Sequence, residues 1–486
     1  MNRTDQFPDH PIWSYFFDII KIPRPSQKEE KVLDYLVQFA RDHGLDYMSD
    51  DSGNLLIKKP AAKGFENHQT VILQSHVDMV CEKNLDSDHD FDRDPIDAFI
   101  EGDWIKANGT TLGADDGIGM AAQLAILASS EIPHGPLECL FTVDEESGMT
   151  GAKGLQQGFL TGTTLINLDS EDEGELFIGC AGGIDTTAIY TPSWEPADSN
   201  MVAFNVLVNG LKGGHSGDEI HKGLGNSIKI MNRFLWSAFQ QFNIRISEFK
   251  GGNLRNAIPR EASSTILLNR SDHSEFMDFS RTFTNTISSE LSKTDPNFRL
   301  TIEACDRPQK VFDAPFMTGL LQSLYACPHG HLAMSQDIPG LVQTSTNLAA
   351  MKHVNGNRLE VTTSQRSSLE SAKMDAAYMV GCSFRLSGAE ITHGGGYPGW
   401  APNTNSEILR ISQQAYQDLF GTDPEVKAIH AGLECGLFLE KYPGLDMISF
   451  GPTIRGAHSP DEQLNISSTY KFWEFLLTIL KNIPGP

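Results

Sequence analysis

The sequence predicts an α/β protein with a mostly parallel central sheet, into which an α+β domain of ferredoxin-like order is inserted. Three features predict it. Short apolar runs alternate with helical periodicity up to about Thr186, a β-α-β-β-α-β order follows, and the first texture returns near the C-terminus. A chain of 486 residues also suits two domains better than one. The expected division is 1-187 with 392-486 for the first domain and 188-391 for the insert.

In the first domain, Ser26 and Glu29 have the spacing of a capping box. Val32, Leu33, Leu36, Phe39 and Ala40 then recur at helical spacing, and Gly44 closes the helix. Val71 to Leu73, Leu137 to Val143 and Thr164 to Leu168 read as buried strands, and Met120 to Ala128 as a helix. In the insert, Val202, Phe204, Val206 and Val208 alternate as in a strand. Ser227 to Phe242 reads as a helix, Ile244 to Phe249 and Ser264 to Leu268 as strands, Ser274 to Leu291 as a helix, and Arg299 to Ala304 as a strand. Helices are expected near Phe316 to Tyr325 and Met374 to Cys382. Leu445 to Phe450 and Phe472 to Leu480 supply the last strand and helix.

The net charge of −25 comes from 63 acidic against 38 basic residues, and such a surface repels phosphate backbones. Nucleic acid is therefore not an expected partner. Met1 to Pro11 shows no basic segment followed by an apolar core, and no apolar run is long enough to span a bilayer, so no membrane association is expected. Seven scattered cysteines suit reduced thiols, and hence the cytosol, better than a disulfide framework.

Five segments place metal-competent residues just after a strand-like run, or at the start of a helix or loop beside one. They are Gln74-Ser75-His76-Val77-Asp78, Gly113-Ala114-Asp115-Asp116-Gly117-Ile118-Gly119, Asp144-Glu145-Glu146, Asp169-Ser170-Glu171-Asp172 and Gly456-Ala457-His458-Ser459. Strands of a parallel sheet open on one carboxyl edge, so these segments can meet in space. Two histidines with three or more carboxylates suit borderline divalent cations such as zinc. Without a cation, four converging carboxylates would repel one another. Alone, each segment has an ordinary reading; Asp115-Asp116 between glycines, for example, suits a turn or a helix cap. The glycines match neither a dinucleotide nor a P-loop fingerprint.

Taken together, these motifs resemble the co-catalytic dizinc metallopeptidases, a family that includes peptidase T, carboxypeptidase G and the aminoacylases. The resemblance covers nearly the full length, with no departure at an expected catalytic position. It implies a zinc-peptidase-like catalytic domain and a lid formed by the insert. Leu211-Lys212-Gly213-Gly214-His215-Ser216-Gly217 and Asn253-Leu254-Arg255-Asn256-Ala257-Ile258-Pro259 look like segments of the family's dipeptidases. By this resemblance His76 and Asp169 hold one metal, Glu146 and His458 the other, and Asp115 bridges them. Asp78 orients His76, Glu145 is the general base, and His215 helps hold the oxyanion. Asn256 and Arg366 are candidates for the substrate's polar groups and terminal carboxylate.

The implied cofactors are two divalent cations per subunit, with zinc expected and manganese or cobalt as alternatives. The implied substrates are small peptides: Xaa-His and other dipeptides, including the β-Ala-His type. In many relatives a small lid dimerises and supplies the histidine across the interface. This insert is longer than one ferredoxin-like unit, so a homodimer and supply within one chain both stay open. The rival readings are an N-acyl amino acid hydrolase or tripeptidase on the same scaffold, and a non-catalytic metal-binding protein. No G-x-S-x-G elbow supports a serine hydrolase, and Cys81 lacks a histidine-bearing motif to activate it.

Overall fold

Strands Val71–His76, Leu137–Thr142 and Thr164–Asn167 are buried along their whole length, the pattern of strands covered on both faces. In the computed structural model, which describes residues 10–355 and 357–485, they pair in parallel, and Asp446–Ser449 joins Thr164–Asn167 in the same sense. Most of the N-terminal stretch read for a leader lies outside the described residues. Antiparallel strands flank this parallel centre: Leu55–Lys59 and Asp46–Ser49 on one side, Glu175–Cys180 on the other. Glu425–Ile429 completes an eight-stranded sheet. Helix Ala114–Ala128 packs on strand Val71–His76 and is buried almost throughout, which its small and apolar residues permit.

The chain divides into two compact units. One holds the residues up to Gly179, Pro402–Ala428 and the segment from Leu433; the other holds Cys180–Ala401 and Ile429–Gly432. The second unit reaches beyond the span 188 to 391 because Gly182–Tyr190 and Glu390–Tyr397 are strands of its own sheet.

Within that unit the pairing order Arg299–Cys305, Met201–Asn209, Ala262–Asn269, Arg245–Gly251 is entirely antiparallel. With helices Ser227–Phe242 and His273–Glu290, this is the split βαβ arrangement expected from the sequence. The structure adds a second one. Val342–Val354, Arg358–Ser367, Gly182–Tyr190 and Glu390–Tyr397 pair in the same relative order, with helices Ala314–Ala326 and Glu370–Arg385 as the crossovers. The first motif is threaded into the second, between its opening strand and its first helix. Gly251 pairs with Met351 to join the two halves into one sheet. Phe234, Phe276, Phe312 and Phe384 belong to one continuous core beneath both halves.

The capping box at Ser26 does not form. Helix Glu30–Asp42 starts without a side-chain cap. Ser26 Oγ instead donates to Asp78 (2.7 Å), and Glu29 accepts the amides of Gln27 and Asp144 (2.8 and 3.0 Å). Both capping residues are taken by the loops that lead into the site. Among the described residues, no helix is long and apolar enough to cross a membrane.

Candidate metal centre

Three of the parallel strands run into the polar segments. His76 closes its strand, Glu145-Glu146 follow Leu137–Thr142 after a left-handed Asp144 (φ 54°), and Asp169 follows Thr164–Asn167. His458 lies in the 456–462 connection of a hairpin, Ile454–Arg455 with Gln463–Asn465, which belongs to a four-stranded sheet with Trp104–Ala107 and Ala98–Glu101. An extra strand thus intervenes between Phe450 and the histidine.

The five residues expected as metal ligands meet. His76, Asp115 and Asp169 form one group and Asp115, Glu146 and His458 another, with the ligand atoms of each within 4.8 Å of one another. Asp115 belongs to both groups. Its Oδ1 is 2.9 Å from His76 Nε2 and its Oδ2 is 3.1 Å from His458 Nε2. Asp169 Oδ1 lies 3.5 Å from His76 Nε2, and Glu146 Oε2 lies 3.1 Å from His458 Nε2. Glu145 groups with His76 and Glu146 on the same scale.

The neighbouring Asp116 does the ordinary work that the sequence allowed for either aspartate. It is buried, and Oδ1 accepts the Gly119 amide (3.1 Å) at the start of the helix. A Cβ on Gly119 would lie 2.3 Å from that oxygen, so glycine is required there. Gly113 has φ 71°, and a Cβ on it would meet the Arg24 guanidinium at 2.7 Å. The glycines of this loop therefore make room for Asp116 and Arg24.

The electrostatics follow from burial. Desolvation pulls the His76 imidazole down, but Asp169, Asp115 and Asp78 outweigh it and hold its pKa well above the ordinary value. Hydrogen bonds to Asp115 and Glu146 push His458 up to about 11. Burial would raise Asp115, yet its bonds with His458 and His76 prevail and hold it well below the carboxylate range. Burial and the surrounding carboxylates drive Asp169 and Glu145 the other way, far above that range. So many carboxylates cannot all ionise here without added positive charge. Glu146 Oε1 is buried with no partner, so a ligand atom remains unused. This mixed nitrogen and oxygen donor set fits one or two divalent cations of the zinc type.

Sequence reasoning missed three charged residues around the centre. Arg24, 1% exposed, donates to the carbonyl oxygens of Val77 (2.9 Å), Asp78 and Gly113. Glu462, 2% exposed, accepts amides of the Asp115 loop. Glu434, fully buried, accepts Gln74 Nε2 (2.7 Å) and Thr142 Oγ1 (2.8 Å), and burial pushes its pKa up to about 7. Only Arg24 carried a local sign, an arginine held between two prolines in an apolar stretch.

The residues expected at the substrate lie in the second unit. Gly214–His215 pairs with Ala257–Ile258, and Ser216 N donates to Asn256 O (2.8 Å), which sets His215 beside the Asn256 loop. His215 Nδ1 accepts the Asp218 amide (3.2 Å). The Asn256 side chain is exposed. Arg366 is buried, its Nη1 donates to Tyr397 OH (2.9 Å), and its Nε has no partner.

The chain resembles known proteins over nearly its whole length. The profile of peptidase family M20/M25/M40 matches residues 72–482. The chain is 43% identical over 485 residues to the cytosol non-specific dipeptidase of Escherichia coli (strain K12), with all of both chains covered. It superposes on the crystal structure of aminoacylhistidine dipeptidase from Vibrio alginolyticus with a TM-score of 0.93 and 43% identity, over 99% of this chain and 98% of that one. Aminopeptidase PepT from Bacillus cereus ATCC 10987 shares the fold at 16% identity, with a TM-score of 0.58 over 97% of this chain and 98% of that one. Fold, ligand groups and sequence lead to one assignment: the chain belongs to the metallopeptidases of family M20/M25/M40.

Proposed function

We propose that this metallopeptidase is a cytosolic dipeptidase that hydrolyses Xaa-His and other dipeptides, including the β-Ala-His type, with two zinc ions per chain. His76 and Asp169 would hold one ion, Glu146 and His458 the other, and Asp115 would lie between them. The observation that carries this reading is Asp115, which shares its two oxygens between two ligand groups. Bound there, the cations would lower the pKa of a water molecule and polarise the peptide carbonyl.

The chain's own residues supply the rest. Glu145, beside the ligands, takes a proton from the attacking water on a carboxylate oxygen and delivers it to the leaving amine. The Asp78 carboxylate, 3.3 Å from His76 Nδ1, would fix the orientation of that ring. His215 would hold the developing oxyanion, Asn256 the substrate's polar groups, and Arg366 its terminal carboxylate. The unpartnered Nε of Arg366 supports that last role, since a guanidinium with free donors suits a carboxylate. Dipeptide specificity draws support from the 43% identity to two proteins named as dipeptidases. The cytosolic location draws support from seven cysteines, none of them in a disulfide among the described residues, and from the E. coli relative's name.

Hydrolysis of β-Ala-His, α-dipeptides, tripeptides and N-acyl amino acids, measured before chelation, after it and with zinc restored, tests the reading. Dipeptide cleavage lost to chelator and regained with zinc is expected. Cleavage of N-acyl amino acids alone would move the activity to acyl hydrolysis on the same scaffold.

A further inference from the structure

His458 and Glu462 stand on one short turn of the hairpin. Ser459 Oγ donates to Gly456 O (2.7 Å), Asp461 N donates to Ser459 Oγ (3.2 Å), and Glu462 N donates to Ser459 O (3.1 Å). The turn is closed on itself, so the two side chains keep a fixed relation. Glu462 points away from the ligand groups and into the backbone of the Asp115 loop. Its Oε2 accepts the amides of Leu112 (2.7 Å) and Gly113 (3.0 Å), and its Oε1 those of Ala114 (2.7 Å) and Asp115 (3.4 Å). Successive amides converging on one carboxylate form an anion nest. Four donors occupy its oxygens, and Glu462 belongs to none of the candidate metal groups. From the other side of the loop, Arg24 takes the Gly113 carbonyl together with those of Val77 and Asp78.

We infer that Glu462 is a positioning residue that sets the spacing of Asp115 and His458, and thereby the affinity of the ion those two share with Glu146. This inference rests on the two-ion reading above. The His76–Asp169 ion depends less on Glu462, because only one of its three ligands, Asp115, is on the gripped loop. The isosteric Glu462→Gln change isolates the effect. Whichever way the amide faces, one pair of backbone N–H groups meets an NH2 donor in place of an acceptor.

The test is calorimetric titration of metal-stripped full-length protein with zinc alone, for the parent and for Glu462→Gln, with circular dichroism of each metal-free protein as the folding control. The expected result is two ions in the parent. In the folded variant, one ion is bound tenfold or more weakly and the other changes by less than threefold. Two ions bound with parental affinities in the variant, or both weakened equally, would overturn the role of Glu462 and leave the two-ion reading standing. Fewer than two ions in the parent would remove that reading and this inference with it. If Glu462→Gln does not fold, hydrogen exchange in the metal-free parent decides. Slow exchange of the Leu112–Asp115 amides supports the grip, and exchange at the rate of open loops overturns it.

Discussion

The Asp78 carboxylate stands 3.3 Å from Nδ1 of His76, and both side chains are buried. The same carboxylate accepts the amides of Glu145 (3.0 Å) and Glu146 (3.1 Å). One side chain therefore connects the histidine at the end of one strand to the two glutamates beyond the next. Burial would raise its pKa, but His76, Ser26 and the Glu145 amide hold it at about 2, so it is ionised at neutral pH. Asp78→Asn should lower zinc affinity by about 10- to 100-fold, the usual effect of losing a residue that orients a ligand. Competition titration against a zinc-binding dye measures it, and an unchanged affinity would take Asp78 out of this role.

Glu145 shares a ligand-scale group with His76 and Glu146, yet Asp169, Asp115 and His458 complete the two ligand sets without it. Glu145→Ala should bind zinc near the parental stoichiometry while dipeptide turnover falls by about 10²- to 10⁴-fold. Elemental analysis beside a kinetic assay separates the two effects. Turnover within tenfold of the parent would dismiss Glu145 as the base.

His458 has a side chain 53% exposed, and the ring is held by its bonds to Asp115 and Glu146. His458→Ala should bind about one ion fewer than the parent, with the fold retained, because no core packing is lost. Parental stoichiometry in this variant would exclude the histidine from the ligand set.

Arg366 offers a buried Nε with no partner, and Tyr397 OH engages its Nη1. Losing a charge-assisted bond to a substrate carboxylate costs about 1.5–3 kcal/mol, or roughly 10- to 150-fold. Arg366→Ala should therefore raise KM for dipeptides by that factor and leave cleavage of the corresponding dipeptide amides little changed. An equal loss on both substrates would assign Arg366 to structure.

His430 is 4% exposed and bonded to Ser345 Oγ (2.7 Å). Burial, reinforced by Arg366, pushes its pKa down to about 3. Below about pH 6.5 the unfolded chain takes up a proton at this position that the folded chain refuses. Its contribution to stability is therefore complete above pH 6.5 and is lost as the pH falls towards 3. The slope is at most about 1.4 kcal/mol per pH unit. Urea unfolding of metal-free protein at pH 7, 6 and 5 should show a shallower loss for His430→Gln than for the parent. Parallel curves would mean that His430 titrates alike in both states.

The parallel centre of the first unit was legible along the chain. Val71–His76, Leu137–Thr142 and Thr164–Asn167 contain the unbroken apolar runs Val71-Ile72-Leu73, Cys139-Leu140-Phe141 and Leu165-Ile166, and such runs without in-out alternation mark strands buried on both faces. The sequence also marked the segments of His76, Glu146 and Asp169, because chemistry at the end of a parallel strand follows that strand directly in the chain. The first ferredoxin-like half was legible for the same reason, since its elements run without interruption. The second was not, because its opening strand, Gly182–Tyr190, is separated from its first helix, Ala314–Ala326, by the whole of the first.

Asp115 and Asp116 are told apart by their folded surroundings. The two carboxylates are alike in sequence, but one turns to the histidines and the other to the Gly119 amide. The structure alone also took Ser26 and Glu29 from a helix cap and gave them to loops of the centre. Arg24 and Glu462 grip backbone atoms, and every residue carries those, so no residue pattern marks their targets. Ligand chemistry is written in side-chain type and can be read along the chain. The hold on that chemistry is made by carbonyls and amides brought together from distant segments, and it exists only once the chain has folded.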